Sequence, residues 1–174
     1  MNQHMTRRFF PSTLAFAGAL LLSTPIMASE SNHGNQLDGT WMVTVHRVSP
    51  PPGVAPTFLG LLTMTPDGQV LEESNTTSIR SLGHGEWIKT GPRQFRRVTV
   101  NFRFAPPPAA FRTYIGVTRI VADLQLNKDG DEFTAESIIE NYDADGNLTA
   151  SSPGTESGRL CDSKTSVKRC MGLE

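Results

Sequence analysis

Gln94-Phe-Arg-Arg-Val-Thr-Val-Asn-Phe-Arg-Phe104 alternates apolar and polar residues over most of its length. Val98, Val100, Phe102 and Phe104 share one face, and Arg97, Thr99, Asn101 and Arg103 share the other. A period of two belongs to a half-buried β-strand, because successive side chains point to opposite sides of a sheet. The apolar set is expected to face inward, and the polar set reads as a solvated face. The preceding Thr90-Gly91-Pro92-Arg93 has tight-turn chemistry, so the strand pairs back on residues 85–90 as a hairpin.

Further strands follow on both sides of this hairpin. Segments rich in Val, Ile, Thr, Phe and Tyr run over 39–48, 57–65, 69–74, 85–90, 94–104, 111–126, 132–142 and 148–160. Clusters of Gly, Pro, Asp and Asn separate them, and no segment has a convincing helical period. Tight turns follow the second, fourth and sixth strands: Thr65-Pro66-Asp67-Gly68, Thr90 to Arg93, and Asn127-Lys128-Asp129-Gly130-Asp131. Longer, mostly proline-stiffened connections at 49–56, 75–84 and 105–110 follow the first, third and fifth. Alternate connections of a meander fall at the same end. The expected fold is therefore all-β: a single up-and-down antiparallel barrel of about eight strands, with no major helix. One end is pinned by tight turns and the other opens through long loops. Trp41, Val43 and Val45 are expected inward with Arg47 at the mouth, as are Phe58, Leu62 and Met64, and Phe133, Ala135, Ser137 and Ile139. Strand six is ambiguous. The inward set is expected to be apolar, and a barrel of this size either fills with side chains or keeps room for one small ligand.

Composition narrows the setting. The chain has 174 residues, 37% hydrophobic and 19% charged, with a formal net charge of −1. Nothing global points to nucleic acid or to an anionic membrane. Residues 1–29 have the order of a secretory signal peptide: Arg7 and Arg8, an apolar run from Phe9 to Met27, then Ala28 and Ser29. Its removal would take two arginines and no acid, leaving a more acidic exported domain that is periplasmic or secreted and not inserted in a membrane. Residues 30–36 read as a disordered lead, 37–160 as the barrel, and 161–174 as a tail. In an oxidising compartment Cys161 and Cys170 read as one local disulfide. A metal pair or a reactive thiol are the alternatives, and no histidine lies nearby.

Two short motifs resemble the calycin superfamily, the lipocalins and related small secreted barrels. Gly39-Thr40-Trp41 is similar to the G-x-W that opens a lipocalin's first strand, and Arg159 sits in the last strand. The resemblance implies that Trp41 lies on the barrel floor beneath Arg159, so Gly39, Trp41 and Arg159 are structural. The stretch from His84 to Gly91 also resembles uncharacterised secreted lipocalin-like proteins. The C-terminal helix of typical lipocalins is missing, which leaves a minimal barrel closer in outline to streptavidin or the allene oxide cyclase type.

Catalytic patterns are sparse. His46 and His84 have no partner at ligand spacing, and no metal or cofactor is expected. No nucleophile elbow or phosphate loop is present. Asp143 to Asn147 resembles half a calcium loop, but Thr155 stands where an EF-hand has its bidentate acid, so the segment reads as a hairpin turn. Tyr114, Arg103, Arg112 and Glu140 form the one candidate acid–base set near the mouth. Most strand acids are expected to face water.

The leading expectation is a barrel that binds a small, mostly apolar molecule through its open end, with Arg47, Phe58, Phe104, Tyr114 and Ile139 as wall and rim. A cyclase or isomerase acting by cavity shape is the alternative, and a protein-binding or inhibitor barrel is the third. The first reading expects a dry cavity and no buried carboxylate, the second an acid or tyrosine inside the cavity with a shifted pKa, and the third a filled barrel with exposed aromatics on its loops.

Overall fold

A computed structural model describes residues 36–50, 55–76, 78–106, 108 and 112–174. The signal-like segment lies outside the described residues, as do nearly all of 30–36 and part of each long loop. The chain forms eight strands: β1 (Gly39–Arg47), β2 (Thr57–Met64), β3 (Gln69–Ser74), β4 (Gly83–Gly91), β5 (Gln94–Phe104), β6 (Tyr114–Leu126), β7 (Glu132–Tyr142) and β8 (Leu148–Leu160). Each pairs antiparallel with the next, and β8 returns to β1, closing the barrel. The expected all-β, up-and-down architecture is what the chain adopts. The strand starting points differ in two places: β4 begins two residues earlier, and β6 begins at Tyr114.

The closed end is apolar. The indole of Trp41 packs against the ring of Phe133 with centroids 5.2 Å apart, and its Nε1 donates to the Leu37 carbonyl at 2.9 Å. Leu37, Met64, Phe95, Leu124, Leu126 and Leu160 are buried in the same core. Fully burying a side chain of this size contributes about 1.5–3 kcal/mol. Gly158 makes room for Phe133, since a Cβ there would overlap the ring. Arg159 does not cover Trp41, as the resemblance implied. It lies on the odd-numbered outer face of β8 and donates to Glu132 at 2.9 Å. Phe133 is the indole's partner instead.

The inward faces of β1, β2 and β7 are those expected. Strand six resolves with Thr118, Ile120, Ala122, Leu124 and Leu126 inside. Strand five is inverted. Arg97 is 1% exposed and Thr99 0%, whereas Phe102 is 57% exposed. The row expected to be solvated is therefore the inner one, continuing from buried Phe95. The reason is that the interior is not apolar throughout. Glu72 and Glu156 are buried there too, and they supply partners that make burial of Arg97 and Thr99 favourable.

Beyond β8, Cys161 and Cys170 are joined in a disulfide with Cα atoms 5.2 Å apart. The tail carries one short helix, α1 (Val167–Cys170), N-capped by the Ser166 hydroxyl. No helix among the described residues is long and apolar enough to cross a membrane.

Candidate functional site

A charged layer spans the barrel above the apolar floor. Arg97 of β5 donates from one nitrogen to both oxygens of Glu156 on β8, each at 2.8 Å, and lies 3.7 Å from Glu72 of β3. Glu72 also accepts from Thr99 at 2.6 Å and from Arg80 at 3.0 Å. Arg80 Nε donates to Asn101 at 3.0 Å. Two guanidinium groups thus meet two carboxylates, all nearly free of solvent. Burying any one of these charges alone would cost several kcal/mol, so the layer stands only as a set.

The two carboxylates are pushed in opposite directions. Burial raises the pKa of Glu72, but Arg80 and Arg97, with the hydrogen bonds from Thr99 and Arg80, overcome it and hold the carboxyl below the ordinary 4.5. Glu156 stays above that value. Burial raises it, Arg97 pulls down, and the charge on Glu72 pushes up again.

Arg80 reaches this layer from a loop. Ahead of β4's start the β3–β4 connection bridges antiparallel to β5, with Arg80 opposite Arg103. Ser81 N donates to Phe102 O at 3.0 Å, and Phe104 N donates to Ile79 O at 2.8 Å. These backbone bonds fix the loop and carry the side chain of Arg80 into the barrel.

Above the neutral layer, positive charge is in excess. The guanidinium carbons of Arg47 and Arg80 lie 5.2 and 5.4 Å from the ring centroid of Phe58. Arg47 Nε and Arg80 Nη1 are buried without a hydrogen-bond partner among the described residues. Arg103 is half-buried and, among the described residues, its guanidinium donates to the Tyr142 carbonyl at 3.4 Å. Burial and the neighbouring charges of Arg80 and Arg103 lower the pKa of Arg47, and burial and Arg80 lower that of Arg103. At the rim Arg112 covers the ring of Phe104 at 4.6 Å.

The structure gathers some of the expected site residues and scatters others. Phe58 and Ile139 are buried inside, and Arg47 stands over Phe58. Phe104 is half-buried at the rim but belongs to the outward row of β5, paired with Tyr114, so it is not part of the inner wall, contrary to expectation. Tyr114 is turned away, with its ring edge-on against exposed Phe102, 5.8 Å between centroids. The acid–base set is not assembled: Glu140 pairs with Arg119 at 2.8 Å and accepts from Tyr142 at 3.0 Å, apart from Arg103, Arg112 and Tyr114. His46 is exposed and bonded to Thr57 at 2.9 Å. The Asp143 carboxylate accepts from the backbone of Asp145 and Asn147, closing a hairpin turn. No group of three potential metal ligands occurs among the described residues.

Sequence reasoning missed Arg80, Arg97, Thr99, Glu72 and Glu156 as interior residues. A signal existed for the acids. Glu72 sits two residues from inward Val70, and Glu156 lies between two inward glycines, Gly154 and Gly158. Compared with models of protein families, with curated proteins and with solved structures, the chain matches none.

Proposed function

We propose that the barrel binds a small, mostly apolar molecule through its open end, outside the cytoplasm. The observation that carries this reading is the contrast between the two ends. Tight turns and the Trp41–Phe133 core close one end, while the other carries the three longer connections and the buried side chains of Phe58 and Ile139. Apolar walls with a few convergent polar groups are what small-molecule sites offer. The disulfide and the signal-like N-terminus both suit an oxidising compartment. Titration with the neutral fluorescent probe N-phenyl-1-naphthylamine tests the site. Binding with enhanced, blue-shifted emission is expected, weakened at least about tenfold by Phe58→Ala. A wild-type protein that leaves the probe in water and also gives no heat of binding with decanoate or decyl phosphate would overturn the reading.

Catalysis is the second reading, favoured by one observation: two buried carboxylates whose pKa values are displaced in opposite directions. Against it, each is engaged by Arg97, so both have a structural task already.

A further inference from the structure

We propose that the open end selects a ligand with an anionic head group, a carboxylate or a phosphate, held by Arg47 and Arg103 with Nη1 of Arg80. This rests on the small-molecule reading above and specifies the chemistry of that ligand.

Charge balance inside the barrel makes the first argument. Arg80 and Arg97 are neutralised by Glu72 and Glu156. Arg47 and Arg103 have no carboxylate partner among the described residues, although both are partly withdrawn from water. Like charges held together in a half-buried place destabilise the fold unless something answers them. Donor geometry makes the second. Arg47 Nε and Arg80 Nη1 are buried and have no hydrogen-bond partner among the described residues, yet both guanidinium groups are fixed over one aromatic ring, Phe58. Arginine forks are suited to carboxylate and phosphate oxygens.

The surrounding sequence makes the third. The long connections over 48–56, 75–82 and 105–113 contain no Asp or Glu, and they contribute Arg80 and Arg112. That includes the loop residues outside the described set, 51–54, 77, 107 and 109–111. Of the acids in the β7–β8 turn, Asp143 is held by its own turn and Asp145 is exposed. The whole chain is slightly acidic, so this concentration of unanswered cations is local.

The test displaces N-phenyl-1-naphthylamine with decanoate, decyl phosphate and decanol, three ligands with one tail and different heads. On the wild type, at least one anion is expected to displace the probe at a concentration about tenfold lower than decanol does, as charge-assisted bonds to the head group require. Whichever anion is stronger identifies the head group. In the Arg47→Gln, Arg103→Gln double variant the ratio of anion to alcohol should fall below about threefold, with a thermal midpoint no lower than wild type because repulsion is relieved. Decanol matching both anions on the wild type, or a double variant that keeps the full ratio, overturns the proposal and leaves the small-molecule reading intact. Should the probe not bind, calorimetry with decanoate and decyl phosphate decides: heat supports the anion site, and its absence overturns both readings.

Discussion

Arg97 and Glu156 face each other across the barrel, both carboxylate oxygens bonded at 2.8 Å to a single guanidinium nitrogen. Their strands, β5 and β8, are not neighbours in the sheet, so the pair braces the lumen. Arg97→Met leaves Glu156 buried without its counter-charge and is expected to lower stability by about 3–5 kcal/mol. Replacing both residues with Met should recover part of that, because removing a buried pair is less costly than stranding one member. Urea unfolding of the three proteins measures it, and a double variant weaker than Arg97→Met would contradict the argument.

The orientation of β5 gives a second prediction. Lysine at Phe102 should reduce stability by no more than about 1.5 kcal/mol, chiefly the edge contact with Tyr114. Lysine at Thr99 removes a donor to Glu72 and adds a charge to a closed layer, so the protein should fail to fold. Circular dichroism of the two variants reads the difference; the reverse pattern would mean that the strand faces the other way.

Acid should loosen the charged layer through Glu72. Its folded pKa lies below the ordinary 4.5, so the fold gains from its charged form above that value. The gain is lost as pH falls through the lower folded pKa. Glu156 has the opposite sign: its raised folded pKa makes its contribution decline as pH climbs through the range above 4.5. The stability difference between wild type and Glu72→Gln should therefore narrow as pH drops below about 4.5. A constant difference across denaturation curves from pH 3 to pH 6 would exclude Glu72 as the group concerned.

The disulfide is expected to matter locally. It joins cysteines nine positions apart, for which loop entropy gives at most about 2–3 kcal/mol. The tail otherwise meets the barrel through bonds such as Cys161 N to Thr40 O at 2.7 Å and Arg169 to Asp131 at 3.3 Å. Changing both cysteines to Ala should leave the strand signal in far-ultraviolet circular dichroism unchanged while lowering the melting point. Loss of that signal would show that the tail is needed for the barrel to form.

Most of the fold was legible because it depends on local pattern. Turn residues such as Pro66-Asp67-Gly68 and Asn127 to Asp131 fix where strands end, and period two separates the faces of β1 and β7. Period two does not say which face is inside. In β5 the apolar row looked like the core, yet the partners that draw Arg97 and Thr99 inward lie far off in sequence, Glu72 on β3 and Glu156 on β8. No window along β5 contains that information. Arg80 was harder still, since it sits in a connection without periodicity and is delivered by backbone bonds to β5. Among the candidate site residues, Phe58 and Ile139 followed from alternation. Tyr114 did not, because the pairing of β5 with β6 shifts register between Arg103 and Phe104.

The position of Glu156 near the C-terminal end of the barrel has a bearing on how the chain matures. As the polypeptide is made, Arg80, Arg97 and Glu72 all emerge before the residue that balances them, and β1 emerges long before β8, its closing neighbour. An incomplete chain is left with an open sheet edge and a surplus cation where its lumen should form. Arrival of β8 removes both defects together. The last strand therefore closes the sheet and balances the lumen at once.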